Sequence, residues 1–210
     1  MHRGVTIYKS RAHKRDFKVV HTAEDTGLFD LISLVYETDL YYKWVPGCCA
    51  STRLRPSTFR QFAYLRFHIP VPMVKDRHLI VKGYGDVYKG RSVMIFVKSV
   101  EASPETEAAL GVQSGSLPVR LEHAGMLFTP RGTATEIQMM SRIDLGLAIV
   151  PDSVFDQVSK YILAELIYFL KEKAKQSNVR SGKHEMWTRR QVDDPVVYDE
   201  ARRRMSAMVN

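Results

Sequence analysis

Apolar and polar positions alternate with a period of two over most of the chain, the signature of strands with one face turned to a core. Gly4–Arg11 (GVTIYKSR) and Phe17–His21 (FKVVH) read as a strand pair joined by the turn-like AHKRD. The period then lengthens. Leu28, Phe29, Leu31, Ile32 and Val35 space as a helix over Thr26–Tyr36, with Asp25 or Thr26 as its cap. A short helical piece, Asp39–Trp44, stops at Val45-Pro46-Gly47. Strands return at Ser51–Thr58, Arg60–Ile69, Arg77–Tyr88 and Ser92–Val100, interrupted by a loop holding Pro70 and Pro72. Ser103–Ser116 is polar and reads as a loop with room for a helical turn. Val119–Phe128 and Thr133–Ile143 form a last hairpin turning at Thr129-Pro130-Arg131-Gly132. Gly83, Gly85 and Gly90 fall in a hairpin and read as turn glycines.

The last long apolar run, Val150–Leu170, predicts one amphipathic helix. Pro151 suits a first helical turn, and Asp152 and Ser153 are start signals. Phe155, Val158, Ile162, Leu166 and Phe169 recur at helical spacing, with a partial second stripe through Val154, Tyr161 and Tyr168. A helix this apolar must lie on something, and the preceding sheet is the one available surface. Antiparallel strands with short turns and a closing helix predict an α+β protein, with a cavity between a curved sheet and its helix. After Leu170 the sequence KEKAKQSNVRSGKHE loses apolar periodicity, and a short helical pattern returns over Tyr198–Val209. The expected organisation is a ligand-binding domain over 1–174 and a basic, flexible tail over 175–210.

Composition narrows the function. A chain of 210 residues can bury a real core, and its apolar and charged fractions are those of a soluble globular protein. Asp156, Lys160 and Glu165 interrupt the last apolar run, so no stretch reads as a membrane span. MHRGVTIYK lacks an apolar secretion core, and Cys48 and Cys49 are adjacent without metal spacing; both fit a reducing, cytoplasmic setting. The net charge of +8 favours an anionic partner. No nucleic-acid motif is present, which leaves an anionic membrane surface or a merely solvated basic face. HExxH, G-x-S-x-G and P-loop patterns are absent, and Glu122 and His123 point to opposite faces of a strand. No enzyme activity, cofactor or metal is expected.

Five strings, in order, resemble the START family of lipid-transfer domains: GVTIYKSR…FKVVH, FDLISLVYETDLYYKWVPGC, HIPVPMVKDRHLIV, VRLEH and SRIDLGLAIVPDSVF. The resemblance spans Gly4–Lys173. Two departures stand out: the family usually opens with extra helical sequence, and its Arg-Asp pair is Asp76-Arg77-His78 here. What the resemblance implies is a helix-grip fold, a curved antiparallel sheet closed by the C-terminal helix around a hydrophobic tunnel holding one lipid. That lipid is a phospholipid or a sterol, exchanged by a cytoplasmic, peripherally membrane-associated monomer. The alternatives are a helix-grip enzyme of the cyclase or hydrolase type, and a lipid-sensing adaptor.

The resemblance also turns the Phe62, Tyr64, Arg66 and His68 face of its strand inward. The implied lipid contacts are Tyr64, Arg66, His68, Arg77, Leu79, Val81, Met94, Phe96, Glu122, Met126, Met140, Arg142, Phe155, Val158 and Ile162. Arg66 or Arg77 would meet a lipid phosphate or hydroxyl; alternatively Arg66 pairs with Glu122 or faces solvent. Arg142 and Asp144 either touch the ligand or fix the strand-to-helix corner. Trp44 is a core plug or a choline-facing wall. Met94, Met126, Met139 and Met140 suit an adaptable pocket and ordinary core packing alike.

Overall fold

The computed structural model describes residues 4–68, 75–144, 152–177 and 185–207. Among them one sheet holds β1 (Thr6–Lys9), β2 (Asp16–Ala23), β3 (Cys48–Ser57), β4 (Arg60–Phe67), β5 (Arg77–Tyr88), β6 (Ser92–Ser99), β7 (Leu117–Pro118), β8 (Arg120–Arg131) and β9 (Ala134–Asp144). The spatial order is β1-β2-β9-β8-β6-β5-β4-β3, antiparallel throughout, with β7 added parallel to β5. The helices are α1 (Leu28–Tyr36), α2 (Pro104–Leu110), α3 (Asp152–Ser177), α4 (Glu185–Asp193) and α5 (Pro195–Ser206), with a 3-10 segment at Thr38–Lys43. Pro70, Pro72, Pro151 and the stretch Val150–Pro151 lie outside the described residues.

Local chemistry sets several boundaries. α1 starts two residues later than its pattern suggests, capped by Gly27 without a side-chain bond. Thr26 is buried and spends its hydroxyl on the Glu24 carbonyl instead. The expected loop at Ser103–Ser116 contains α2. Its Ser103 hydroxyl accepts the Thr106 N–H at 3.3 Å, Pro104 opens the helix, and Gly111 closes it in the left-handed region at φ 65°. The final hairpin turns later than expected. Thr129 and Pro130 stay in β8, and Gly132 at φ 63° makes the bend.

Cross-strand register decides which side chains share a face. One inner row runs Ile7, Val19, Met139, Met126, Ile95, Gly85. The next runs His21, Ile137, Phe128, Val93, Val87. Val19, Phe128, Ile137 and Met139 from these rows form the main core with Leu31 and Leu34 of α1, Ile167, Leu170 and Ala174 of α3, Trp44 and Trp187. Full burial of a large apolar side chain stabilises by about 1.5–3 kcal/mol, so this cluster dominates the fold's favourable energy.

α3 does close the sheet, but by a different stripe than its sequence suggests. Ser159, Ala164, Ile167, Leu170 and Ala174 are buried, while Val158 and Ile162 are each 44% exposed. The reason is α1. It takes the second half of α3 into the core. The first half leans on the β1–β2 hairpin instead, through an ion pair from Lys9 to Asp156 and the Arg15 guanidinium over the Phe155 ring.

The tail expectation also changes. Residues 185–206 form α4 and α5 and fold back onto the body, burying Trp187, Val197 and Tyr198.

Candidate functional site

Two inner rows reach β5 at glycines. Gly85 faces Ile95 and Gly83 faces Val97, while on the neighbouring β4 strand Gln61 stands across from Gly83 and the small Ala63 across from Val81. A layer of side chains is therefore thin at this spot. A Cβ placed on Gly85 would come no closer than 3.5 Å to Ile95, and one on Gly83 no closer than 3.7 Å to a neighbour. These are not turn glycines; Gly90, at φ 64°, is. The space becomes a hollow of about 110 Å³. Its floor is Ala63, Val81, Gly83, Gly85, Ile95 and Val97. Its other walls come from α1 (Phe29, Ile32), Tyr41, and α5 (Val197, Tyr198, Ala201, Met205).

Three of the hydroxyls around the hollow are engaged by backbone carbonyls. Ser33 donates to the Phe29 carbonyl at 2.7 Å, Tyr36 to that of Thr58 at 3.0 Å, and Tyr41 to that of Val35 at 2.8 Å. Burial pushes the Tyr41 phenol above its ordinary range, so it remains a donor. The surface presented to a ligand is thus mainly apolar. Asp86 and Arg204, at the α5 edge, are the charged side chains among its described lining residues, and they pair with each other at 3.2 Å.

A buried ionic cluster sits beside the hollow, where α1 meets the 3-10 segment. The side chains of Glu37 and Arg53 are 2% and 5% exposed and bond at 2.6 Å. Arg53 also donates to the Tyr36 carbonyl at 3.0 Å and lies 3.0 Å from Asp39. Arg190 of α4 reaches Asp39 at 2.6 Å, and the Tyr198 hydroxyl of α5 donates to Glu37 at 2.5 Å. Burial, together with the Glu37 carboxylate, raises the Tyr198 phenol well above its ordinary pKa and keeps it protonated. Each charge in the group is compensated, which a buried ion requires.

The expected contact residues divide between the two faces. Arg77, Leu79, Val81 and Met126 point inward. Val81 lines the hollow, Leu79 packs with Ala63, Leu65 and Val81, and Met126 packs against the main core. Arg77 is buried and donates to the Lys75 carbonyl at 2.6 Å. The expected facing of β4 is reversed: Ala63 and Leu65 form the inner face. Tyr64 lies on the outer face with Ile80, under Leu110 of α2. Arg66 there pairs with Asp76 at 2.8 Å and Gln113 at 2.6 Å, not with Glu122. His68 joins the same Asp76 at 3.0 Å, a bond that pulls this carboxyl below its usual range.

Met94, Phe96 and Met140 also lie on the outer face, where Phe96 stacks on Tyr84 at 5.2 Å. Arg142 bridges Asp16 at 2.6 Å and Glu122 at 3.3 Å across the outer side. That arrangement fixes β9 to β2; the Asp144 side chain is outside the described set. Phe155 is half-buried under Arg15, and Val158 and Ile162 are exposed. Trp44 is buried, edge-on to Tyr41 at 5.1 Å. Sequence reasoning missed the α5 wall. Val197, Ala201 and Met205 at four-residue spacing were its one available signal.

A curved antiparallel sheet carrying a long closing helix defines the helix-grip class. No family sequence model matches the chain, and no curated protein sequence does. Solved structures do match. Human STARD10 superposes with a TM-score of 0.72 at 15% identity, covering 90% of this chain and 78% of its own. Human StAR-related lipid transfer protein 5 gives 0.69 at 14% identity, covering 83% of each. A STAR-related lipid transfer protein from Xanthomonas axonopodis gives 0.64 at 16% identity, covering 83% of this chain and 95% of its own. The fold is the START helix-grip fold. Among the described residues no helix is long and apolar enough to cross a membrane, and no cluster of His, Cys, Asp or Glu is placed to hold a metal.

Proposed function

We propose that this chain binds one lipid between the sheet and its helices and passes it between membranes, without chemistry. The observation that carries the reading is the thin side-chain layer at Ala63, Gly83 and Gly85, opening an apolar hollow under α1 and α5. Two of the similar structures are named as lipid-transfer proteins, which supports the same ligand class. Among the described residues the acid–base pair lining the hollow is tied up in the Asp86–Arg204 contact, so its walls suit binding rather than proton transfer.

At about 110 Å³ the hollow is well below the ~300 Å³ at which pockets for drug-sized ligands begin. A lipid therefore enters by moving a helical wall. A neutral polar end, such as a sterol hydroxyl, fits these walls better than a phosphate, because Arg66 is already engaged by Asp76 and Gln113 on the far face. The net charge of +8 and the exposed Val158, Tyr161 and Ile162 of α3 suit an anionic bilayer surface, reached by a monomer in the cytoplasm. Transfer from donor to acceptor vesicles tests the reading. Dehydroergosterol should move faster with the protein than without it, and faster than a labelled phosphatidylcholine. No acceleration of either lipid contradicts the proposal.

A further inference from the structure

We propose that α5 is a built-in plug for the cavity, swinging about Asp194–Pro195 while α4 stays anchored. The inference rests on the cavity-ligand reading above and names how that site is controlled. The walls of the hollow are unequally held. The strands are tied by their ladders, and α1 is wedged between sheet and α3 with Leu31 and Leu34 fully buried. α4 puts Trp187 into the same core. α5, by contrast, contributes only Val197 and Tyr198 as buried side chains, and both face the hollow. Elements with few buried apolar contacts open first.

What holds α5 down is largely polar and local. Tyr198 donates to Glu37 at 2.5 Å and packs edge-on against Phe29 and Tyr36, with ring centroids 6.1 and 6.2 Å away. Arg204 reaches Asp86 at 3.2 Å and lies 4.4 Å above the Phe59 ring. Arg202 covers Phe29 at 4.5 Å. At the pivot, Asp194 pairs with Arg55 and leaves the helical region at φ −133°, ψ 60° before Pro195 starts α5. When α5 lifts, Glu37 keeps its 2.6 Å bond to Arg53, so the carboxylate is not stranded. The partners of Arg203 and Glu200 travel with the helix, since those pairs lie within it. Opening thus exposes Ala63, Val81 and the glycine floor without breaking the core.

The test uses the full chain with Tyr198→Phe, which removes only the hydroxyl, and Arg204→Met as a second variant. Loss of a hydrogen bond to a charged partner should raise the population of the open form about tenfold or more. Amide exchange in α5 should accelerate by that factor in Tyr198→Phe and by a smaller factor, about two- to fivefold, in Arg204→Met, whose pair with Asp86 is solvent-exposed, with α1 and β5 unchanged. Uptake of dehydroergosterol from phosphatidylcholine vesicles should quicken in parallel. Unchanged α5 exchange, or exchange rising equally in α1, overturns the plug. Uptake at the parent rate despite faster α5 exchange overturns it as well and leaves the lipid reading standing. If no dehydroergosterol or pyrene-labelled phosphatidylcholine enters any of the three proteins, the lipid reading falls and the plug with it.

Discussion

Filling the hollow should strengthen the fold and abolish ligand binding together. Gly85 sits on the inner face opposite Ile95, in ordinary strand geometry, and a Cβ there meets its neighbours at 3.5 Å or more. Ile at this position is β-branched, suits a strand, and points into the hollow. An enclosed cavity costs about 24 cal/mol per Å³, so 110 Å³ sets an upper bound of about 2.6 kcal/mol in the ligand-free protein. An Ile side chain recovering about half of that, plus about 0.5–1 kcal/mol from replacing a strand glycine, gives a gain of about 2 kcal/mol. For a domain this size that shifts the melting temperature by roughly 4–8 °C. Denaturant titration and thermal melting of Gly85→Ile measure the gain, and sterol uptake measures the loss. A stabilised variant that still takes up lipid at full affinity refutes the placement of the ligand. A variant destabilised by more than about 1 kcal/mol refutes the geometry of the hollow itself.

Other perturbations probe the surroundings. Arg53→Met leaves the buried Glu37 with its Tyr198 donor and the Arg190 guanidinium 3.9 Å away, and should cost about 3 kcal/mol by urea unfolding; a loss under 1 kcal/mol would contradict the buried cluster. Burial depresses the His78 pKa, so the folded chain binds this proton less readily than the unfolded one. Its contribution is present above about pH 6.5 and lost as pH falls, and His78→Gln should flatten the stability profile between pH 7 and 5. Burial pushes the Cys48 thiol up to about 12, whereas Cys49 is exposed. Iodoacetamide on the native protein should therefore add one carbamidomethyl group, on Cys49, by peptide mass spectrometry; equal labelling of both would place Cys48 outside the core.

The order of strands and the closing helix were legible because period two and period 3.6 are written locally. Facing was not. On β4 both Ala63–Leu65 and Phe62–Tyr64 are apolar sets, since the hollow and core cover one side and Leu110 of α2 covers the other. Alternation gives the parity of a strand, and only tertiary packing gives its side. Gly83 and Gly85 looked like turn residues beside Gly90 because a missing side chain carries no signal of what it makes room for. The stripe on α3 shifted because α1, whose position the spacing of α3 cannot encode, took half of that helix. The helical pattern of α5 was legible, but its packing against the body was hidden for a similar reason. Tyr198 is buried by a bond to Glu37, 161 positions earlier in the chain, and its own basic neighbourhood reads as a solvated tail.

Native mass spectrometry of the full chain purified from cells tests the central claim most directly. The account predicts a 1:1 adduct of a single lipid on the parent protein, released on gentle activation and missing from Gly85→Ile. A bare parent chain after reconstitution with mixed lipid vesicles, or an adduct that Gly85→Ile retains unchanged, would contradict it.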